Sequence, residues 1–116
     1  MSAFNTQAFA ARWKQLSLME QLGNIGSEVD RAIAWHRKGE LQRSTSALNR
    51  ALELFDLTIS DLRWRTGGKL KELVRAREVL CDAFFGDNEY GTSLESLSRY
   101  FYYFAWAARR RRCAQG

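Results

Sequence analysis

Hydrophobic positions along this chain recur at steps of three and four residues, which is the spacing of one face of an α-helix. The clearest example is the stretch at 93–112, where tyrosines and a tryptophan lie beside the apolar face. Four consecutive arginines close the stretch. Its spacing predicts an apolar helix that docks on other helices and ends in concentrated positive charge. The spaced apolar residues are Leu94, Leu97, Phe101, Phe104 and Ala108.

The same spacing recurs in three earlier stretches, and a shorter amphipathic stretch precedes them. Because the connections between them are short, successive long helices are expected to be antiparallel neighbours. We therefore expect an all-α fold, an up-down-up-down four-helix bundle with a short N-terminal lead-in helix, in a single domain over residues 1–116. The predicted helices are the lead-in at 6–15 and bundle helices at 17–38, 40–61, 69–85 and 93–112, the last ending in a basic C-terminal tail.

Local signals refine the helix ends and faces. Ser17 and Glu20 have the capping-box spacing at one helix start, and Thr92 and Glu95 repeat it at another. In a capping box, each side chain accepts a hydrogen bond from the backbone N–H of the other residue. The apolar spacing of the second bundle helix extends as far as Leu62, which we expect to point inward.

Two features indicate specific contacts between helices. Gly23 and Gly26 lower the intrinsic stability of the first bundle helix, so we expect them at a close crossing with a neighbouring helix. Arg77 falls on the inward spacing of the third bundle helix. Because a partly buried arginine needs a carboxylate partner, Asp56 or Glu53 of the second bundle helix is expected to pair with it.

Composition narrows the class of protein. The chain is 46% hydrophobic with four tryptophans, which is typical of a compact fold, and its lack of proline favours helices over sheet. Cys81 and Cys113 do not make the framework of a secreted, disulfide-rich domain. The start lacks the apolar core of a signal peptide, and the longest apolar run is far shorter than the roughly 20 residues that span a bilayer. We therefore expect a soluble, cytoplasmic protein.

The charge balance suggests an anionic partner. The formal net charge is +5, and the isoelectric point is near 9.6. In an alternating bundle, the start of the first long helix, the connection between the second and third, and the end of the last helix meet at one end. We call the basic residues expected there the basic pole. They are Arg12, Lys14, Arg63, Arg65, Lys69, Lys71, Arg109, Arg110, Arg111 and Arg112.

Tryptophans accompany the basic pole. Trp64 lies between two arginines, and Trp106 precedes the run of four. Arginines neutralise phosphates and release counterions, while indole rings stack on exposed bases at roughly 1–3 kcal/mol each. In the alternative interpretation, both tryptophans belong to the core and the arginines form a solubilising tail. The predicted nucleic-acid-binding residues are Arg63, Trp64, Arg65, Lys69, Lys71, Trp106, Arg109, Arg110, Arg111 and Arg112.

Candidate catalytic chemistry is confined to one short motif. Arg31 and His36 match the R-x4-H pattern of HEPN-type ribonucleases, which are small helical bundles. The resemblance implies that the two residues act together in metal-independent RNA cleavage, usually across a dimer. However, five residues turn a helix by about 140°, so the two side chains would not share a face. We find no metal-ligating spacing and no phosphate-binding glycine loop, and we expect no catalytic residue, metal or cofactor.

Longer phrases resemble known groups of proteins. LGNIGSEVDRAIAW, RALELFDLTISD and KLKELVRAREVLCDAFFGDNEYG resemble a group of small uncharacterised bacterial helical proteins, over most of residues 12–108. In size, charge and predicted architecture, the chain is also similar to the accessory (variability determinant) proteins of diversity-generating retroelements. Those proteins assemble into rings and bind a reverse transcriptase and its RNA. The resemblance implies a homo-oligomer with an RNA–protein partner.

A surplus of aromatic residues independently favours self-association. Tyr100, Tyr102 and Tyr103 cannot all point inward together with Trp106, Phe85 and Trp35, and surplus aromatic surface often marks an interface. The favoured hypothesis is a non-catalytic, RNA-binding accessory protein that oligomerises and assists a larger enzyme such as a reverse transcriptase. The alternatives are a protein–protein interaction module with an incidental basic tail, and a HEPN-like ribonuclease.

Overall fold

The computed structural model describes residues 7–86, 88 and 91–115, with side chains in the last helix described as far as residue 103 and at 106. Over these residues the chain is all-α, as predicted, and a 3₁₀ turn at Leu62–Trp64 interrupts the third connection. No helix in the described ranges has both the length and the apolar character needed to cross a membrane. The helices are α1 (Gln7–Trp13), α2 (Leu18–Arg37), α3 (Leu41–Ile59), α4 (Lys69–Phe85) and α5 (Leu94–Gln115).

The start of α2 carries the capping box that its sequence predicts. The Glu20 backbone N–H donates to Ser17 Oγ at 3.1 Å, and the Ser17 backbone N–H donates to Glu20 Oε1 at 3.2 Å. The helix ends before Gly39, whose φ of +77° is the left-handed conformation that glycine adopts without steric cost. Both ends of α2 are therefore specified by local sequence.

The start of α5 differs from the sequence prediction by one residue. Ser93, and not Thr92, is the cap, because Ser93 Oγ accepts the Ser96 backbone N–H at 3.1 Å. The Thr92 backbone N–H instead donates to Asn88 Oδ1 at 3.1 Å. Glu95, the expected capping-box partner, forms an ion pair with Arg37 at the end of α2. The side chain of Glu95 therefore contacts another helix, and the cap of α5 is Ser93.

Helix α2 packs against both α3 and α5, and both neighbours are antiparallel to it. Near the start of α3, Ser44 Oγ donates to the Ala32 carbonyl at 2.8 Å. On the α5 side, Ser98 Oγ donates to Asp30 Oδ1 at 2.8 Å. Because Glu95 meets Arg37 at the end of α2, α5 runs back towards the start of α2.

Helix α4 packs on α3 through the expected ion pair. Arg77 Nε lies 3.0 Å from Asp56 Oδ1, which identifies Asp56 as the predicted carboxylate partner. At its far end, α4 also reaches α2, since the ring of Phe84 meets the edge of the His36 ring with centroids 6.0 Å apart. The ends of α2 and α4 therefore lie together with the start of α5.

The core lies between α2, α3, α4 and the first half of α5. Leu62 is a correction to the predicted apolar stripe, because its side chain is 73% exposed. Helix α3 ends at Ile59, and the chain changes direction before the 3₁₀ turn, so the helical spacing no longer applies at position 62. The buried apolar residues are Trp13, Leu22, Ile25, Val29, Ala32, Ile33, Ala47, Leu48, Ala51, Leu54, Phe55, Leu73, Leu80, Leu97 and Phe101.

The expected close crossing is present at Gly26. This residue is buried where α2 meets α5, and a Cβ atom built on it would lie 2.6 Å from Phe101 Cβ. No other residue type fits that distance unless the helices move apart. The glycine therefore sets the separation of α2 and α5 at this point.

Candidate nucleic-acid interface

A buried glutamine ties the α3–α4 connection to the beginning of the molecule. Gln21 is fully buried, and its Nε2 donates to the Trp13 carbonyl at 2.8 Å. Its Oε1 accepts a hydrogen bond from Trp64 Nε1 at 3.0 Å. Trp13 Nε1 in turn donates to Thr58 Oγ1 at 3.0 Å. One polar chain therefore links α1, α2, α3 and the 3₁₀ turn.

An ion pair reinforces the same connection. Arg63 Nη2 lies 2.7 Å from Oδ2 of the buried Asp61 and also donates to the Leu16 carbonyl at 3.0 Å. The hydrogen bond from the Arg63 side chain lowers the pKa of Asp61, and the same bond raises the pKa of Arg63. Asp61 also caps the 3₁₀ turn by accepting the Arg63 backbone N–H at 3.0 Å. Arg63, which the sequence predicts to contact phosphate, is therefore already paired with the Asp61 carboxylate inside the protein.

Trp64 combines the two roles that its sequence leaves open. Its side chain is partly buried and packs against the core, which agrees with the structural interpretation. The Arg63 guanidinium carbon lies 4.4 Å from the centroid of its ring, and Lys69 Nζ lies 5.6 Å away. The indole ring therefore has two cations beside it, one from the 3₁₀ turn and one from the start of α4.

Several predicted cations lie exposed at this end of the molecule. Arg65, Lys69 and Lys71 are exposed on the α3–α4 connection and the first turn of α4, and Arg12 and Lys14 are exposed beside α1. Lys69 and the adjacent glycines line a groove of about 250 Å³ with residues at the start of α2. The α3–α4 connection and the start of α2 therefore meet, as the alternating arrangement predicts.

The arginine run belongs to the last turns of α5. The side chains of Arg109, Arg110, Arg111 and Arg112 lie outside the described residues, although their backbone is helical. Since α5 is antiparallel to α2, this part of α5 extends towards the end of the molecule that holds the start of α2.

Aromatic side chains are exposed along α5. Tyr102 is 67% exposed, Tyr103 60% and Trp106 46%. Tyr103 and Trp106 contact each other with ring centroids 6.4 Å apart. Tyr100 is partly covered, and burial raises the pKa of its hydroxyl, with a further contribution from the Glu72 carboxylate. We call Tyr100, Tyr102, Tyr103 and Trp106 the α5 aromatic face.

The residues of the ribonuclease-like motif serve different contacts. Arg31 forms an ion pair with Glu28 of its own helix. His36 instead meets Phe84 of α4. The two side chains therefore do not combine into a site within one copy of the chain. Within the described ranges, acidic, histidine and cysteine side chains do not gather into a group that could hold a metal ion.

A basic aromatic cluster between α2 and α3 was missed by the sequence analysis. Around Trp35 the Arg43 guanidinium carbon lies 4.7 Å from the ring centroid and Lys38 Nζ lies 5.3 Å away. The i, i+3 spacing of Trp35 and Lys38 was a local signal for half of this cluster. Arg43 comes from the next helix, and no local pattern indicates that it reaches the same ring.

Comparisons with protein-family models, with curated proteins and with solved structures found no match to this chain. The similarities to bacterial helical proteins and to retroelement accessory proteins therefore stay predictions from the sequence.

Proposed function

We propose that this protein binds single-stranded nucleic acid, with RNA as its ligand, through the basic pole and has no catalytic activity. The observation that carries the proposal is the α3–α4 connection. Its exposed Arg65, Lys69 and Lys71 belong to a segment that Gln21 and Asp61 tie to the core. The protein would therefore act as a binding protein whose cationic surface is held in place before an anionic ligand arrives.

Two features of the α3–α4 connection support phosphate binding: its cations other than Arg63 lack ion-pair partners among the described residues, and its backbone is held in place. Arg65, Lys69 and Lys71 form no ion pair with any described residue, so their charge is not neutralised internally. The buried Asp61 carboxylate, which could have competed, is paired with Arg63. Because the segment is held by hydrogen bonds in advance, less conformational entropy is lost when a ligand binds.

The tail and the tryptophans extend the surface. Arg109, Arg110, Arg111 and Arg112 add four cations in the helix that runs towards this pole. Trp64 and the exposed Trp106 are suited to stacking on bases, which is tolerant of sequence. Together these groups favour single-stranded RNA over a duplex, whose bases are not available for stacking.

The finer architecture is part of the proposal. The antiparallel contacts of α2 with α3 and with α5 support an up-down-up-down four-helix bundle with α1 as its lead-in helix. The α5 aromatic face supports a homo-oligomer. Resemblance in size, charge and architecture to retroelement accessory proteins supports the role of such an assembly as an accessory to a larger enzyme such as a reverse transcriptase. The composition of the chain supports a cytoplasmic location.

Salt dependence tests the proposal directly. Binding of a fluorescently labelled single-stranded RNA is measured at 50 and 200 mM salt. For seven phosphate contacts we expect affinity to fall by about 10³-fold between these conditions, because each contact releases condensed counterions. Changing Arg65, Lys69 and Lys71 to glutamine is expected to weaken binding and to make its salt dependence less steep. A second variant has glutamine at all four positions 109–112.

A charge-matched control separates a defined site from general attraction. Replacing Arg37, Arg75 and Arg99 by glutamine also removes three positive charges, at exposed positions that do not belong to the basic pole. This control is expected to bind RNA nearly as well as the wild type. Equal losses in both triple variants, or no binding by the wild type at 50 mM salt, would show that the basic pole is not an RNA site.

The α5 aromatic face favours a second candidate function, a protein–protein interaction module. Beside it, a groove of about 290 Å³ between α4 and α5 has a largely apolar lining that includes Ala76, Val79 and Tyr100. An apolar groove of this kind suits an amphipathic helix from a partner. This function predicts partner binding that changes little with salt, in contrast to phosphate binding.

A further inference from the structure

The cluster around Trp35 lies at the opposite end of α2 from the network at Gln21. Fourteen residues separate the two positions along the helix, which corresponds to about 21 Å at a rise of about 1.5 Å per residue. Trp35 is partly buried against the body of the protein. Its ring nevertheless has two cations over it, from Lys38 of the α2–α3 connection and Arg43 of α3. The cluster is therefore separate from the basic pole.

These two cations are not neutralised by a carboxylate. Lys38 and Arg43 are both exposed and form no ion pair with any described residue, and both side chains lie over the indole ring. Two like charges on one ring repel each other, and the quadrupole of the ring offsets only part of that repulsion. The arrangement is consequently suited to an anion that lies between or beside them.

Two further arginines continue the positive charge along the contact between α2 and α3. Glu28 is buried and bonds Arg31 through one carboxylate oxygen and Arg50 through the other. Its single negative charge therefore orients two guanidinium groups whose side chains remain 60% and 41% exposed. We call Arg31, Trp35, Lys38, Arg43 and Arg50 the basic seam.

The surface at the seam is concave and polar. A groove of about 350 Å³ lies between Trp35, Gln42, Arg43, Ser46 and Arg50. This volume falls within the usual range of about 300–1,000 Å³ for ligand sites. Gln42 and Ser46 add uncharged donors and acceptors beside the cations, which are the groups that contact base edges and sugar hydroxyls.

The seam also approaches the basic pole. A neighbouring groove of about 400 Å³ is lined by both Arg12 and Arg31, together with Phe9 of α1. Positively charged side chains therefore recur along the α2–α3 face, from Arg12 near the pole to Arg43 beside Trp35. A flexible anionic polymer that contacts the pole is consequently within reach of the seam.

We propose that the basic seam is a second contact site for the same single-stranded RNA. In this complex Lys38 and Arg43 turn from the Trp35 ring to phosphates, Arg50 contacts a further phosphate, and a base stacks on the ring in their place. The inference rests on the proposed function for the identity of the ligand. An acidic protein segment would also satisfy the cations, but a nucleobase additionally offers a flat aromatic face that can stack on an indole ring. The tryptophan among the cations therefore favours RNA.

The test uses the full chain with labelled oligouridylate probes long enough to contact both sites. In one variant Trp35→Leu removes the ring and keeps an apolar side chain, and Trp35→Phe is its aromatic control. In another, Lys38 and Arg43 are both changed to glutamine. Arg75→Gln with Arg99→Gln is the charge-matched control for that pair. Arg50 stays unchanged in all variants because it compensates the buried Glu28.

We expect Trp35→Leu to weaken RNA binding about tenfold, since one stacked base is lost, and Trp35→Phe to retain most of the affinity. Glutamine at positions 38 and 43 is expected to lower the slope of log affinity against log salt by about 1.4, as two phosphate contacts to a single strand are lost. The control pair is expected to leave the slope near its wild-type value. Ultraviolet cross-linking of the probe to a peptide that contains Trp35 would locate the contact independently.

The outcomes distinguish this inference from the proposed function. Wild-type-like binding by all seam variants, together with lost binding in the pole variant, would overturn the seam and leave the proposed function intact. Absence of RNA binding by the wild type would overturn both. Loss of binding to a polyglutamate probe in the seam variants, with RNA binding unchanged, would assign the seam to an acidic protein partner and overturn the inference. If Trp35→Leu fails to fold, the exposed pair at 38 and 43 supplies the decisive measurement.

Discussion

Polar residues organise the interior of this protein at the scale of single side chains. Gln21 and Asp61 are both buried, and each helps to join segments that are distant in sequence. Gln21 accepts a hydrogen bond from Trp64. Asp61 holds the Arg63 guanidinium, which donates to the Leu16 carbonyl. Every buried polar side-chain atom among the described residues has a hydrogen-bond partner. Because an unsatisfied buried polar group is costly, these residues specify one arrangement of the α3–α4 connection.

Replacing Asp61 by asparagine is expected to lower the free energy of unfolding by about 1–3 kcal/mol at neutral pH, since Arg63 loses a charge-assisted partner. The pKa of Asp61 is lowered from 3.8 in the folded state, so its stabilising contribution is complete above about pH 4 and is lost as pH falls through the folded-state value. The difference in the free energy of unfolding between the wild type and Asp61→Asn should therefore be smaller in acid. Urea unfolding of both proteins at pH 7 and at pH 2 measures this difference.

Asp56→Asn is the matched control for that experiment. Asp56 also pairs with an arginine, but its side chain is 61% exposed, and an exposed pair contributes no more than about 1 kcal/mol. A loss at pH 7 as large as that of Asp61→Asn would contradict the importance assigned to burial.

For Gly26→Ala, helix propensity and packing predict opposite changes in the free energy of unfolding. Alanine stabilises a helix interior by about 1 kcal/mol relative to glycine. The new methyl group would instead lie 2.6 Å from Phe101 Cβ, so we expect a net loss of about 1–3 kcal/mol. Thermal unfolding monitored by circular dichroism decides between them. Asn24→Ala, at an exposed position of the same helix, should be neutral or stabilising, and a stabilised Gly26→Ala would show that α2 and α5 do not cross tightly there.

At the scale of elements, helix ends depend on whether their partners are local. The capping box of α2 forms between Ser17 and Glu20, which are both on the same short segment. At α5, the side chain of Glu95 is recruited by Arg37, and Ser93 serves as the cap. The start of α5 therefore lies one residue later than the spacing of Thr92 and Glu95 predicts, and Glu95 takes part in a contact between helices.

Ser93→Ala and Thr92→Ala test this assignment as a pair. Loss of the Ser93 cap is expected to reduce the free energy of unfolding by about 0.5–2 kcal/mol, whereas Thr92→Ala should have a much smaller effect. Chemical unfolding of both variants under identical conditions provides the comparison. If Thr92→Ala were the more damaging change, the helix would start as the sequence spacing predicts.

At the scale of the whole molecule, the exposed cations of the proposed RNA sites fall into two groups. The basic seam lies along α2 and α3, whereas the cations of the basic pole whose side chains are described lie beside α1, on the α3–α4 connection and at the start of α4. The α5 aromatic face belongs to the last helix.

Self-association through the α5 aromatic face is the corresponding prediction. The wild type is expected to sediment as an oligomer, and changing Tyr102, Tyr103 and Trp106 to serine is expected to favour the monomer. Because these side chains are exposed, folding stability of the monomer should change little. Leu41→Ser, at an exposed apolar position on α3, is the control and should leave the oligomer intact. Analytical ultracentrifugation over a range of concentrations measures both.

Much of the secondary structure was accessible from the sequence. The apolar spacing, the capping box at Ser17 and the glycine after α2 are local features, and helix formation depends mainly on neighbours within four residues. The Arg77–Asp56 pair was also predictable, because an inward arginine needs a carboxylate and few were available. The prediction that Leu62 points inward was wrong, because helical spacing assigns a residue to a face only within the helix, and α3 ends at Ile59.

The sequence by itself determined that the chain is helical, where its long helices lie and that it is strongly basic, since these properties follow from local periodicity and composition. The tertiary structure decided which basic residues are neutralised internally and which remain available. Arg63 is paired with a buried carboxylate, whereas Arg43 lies beside a tryptophan of another helix. The difference arises because the electrostatic role of a side chain depends on the groups that folding brings within a few ångströms, whatever their separation along the chain.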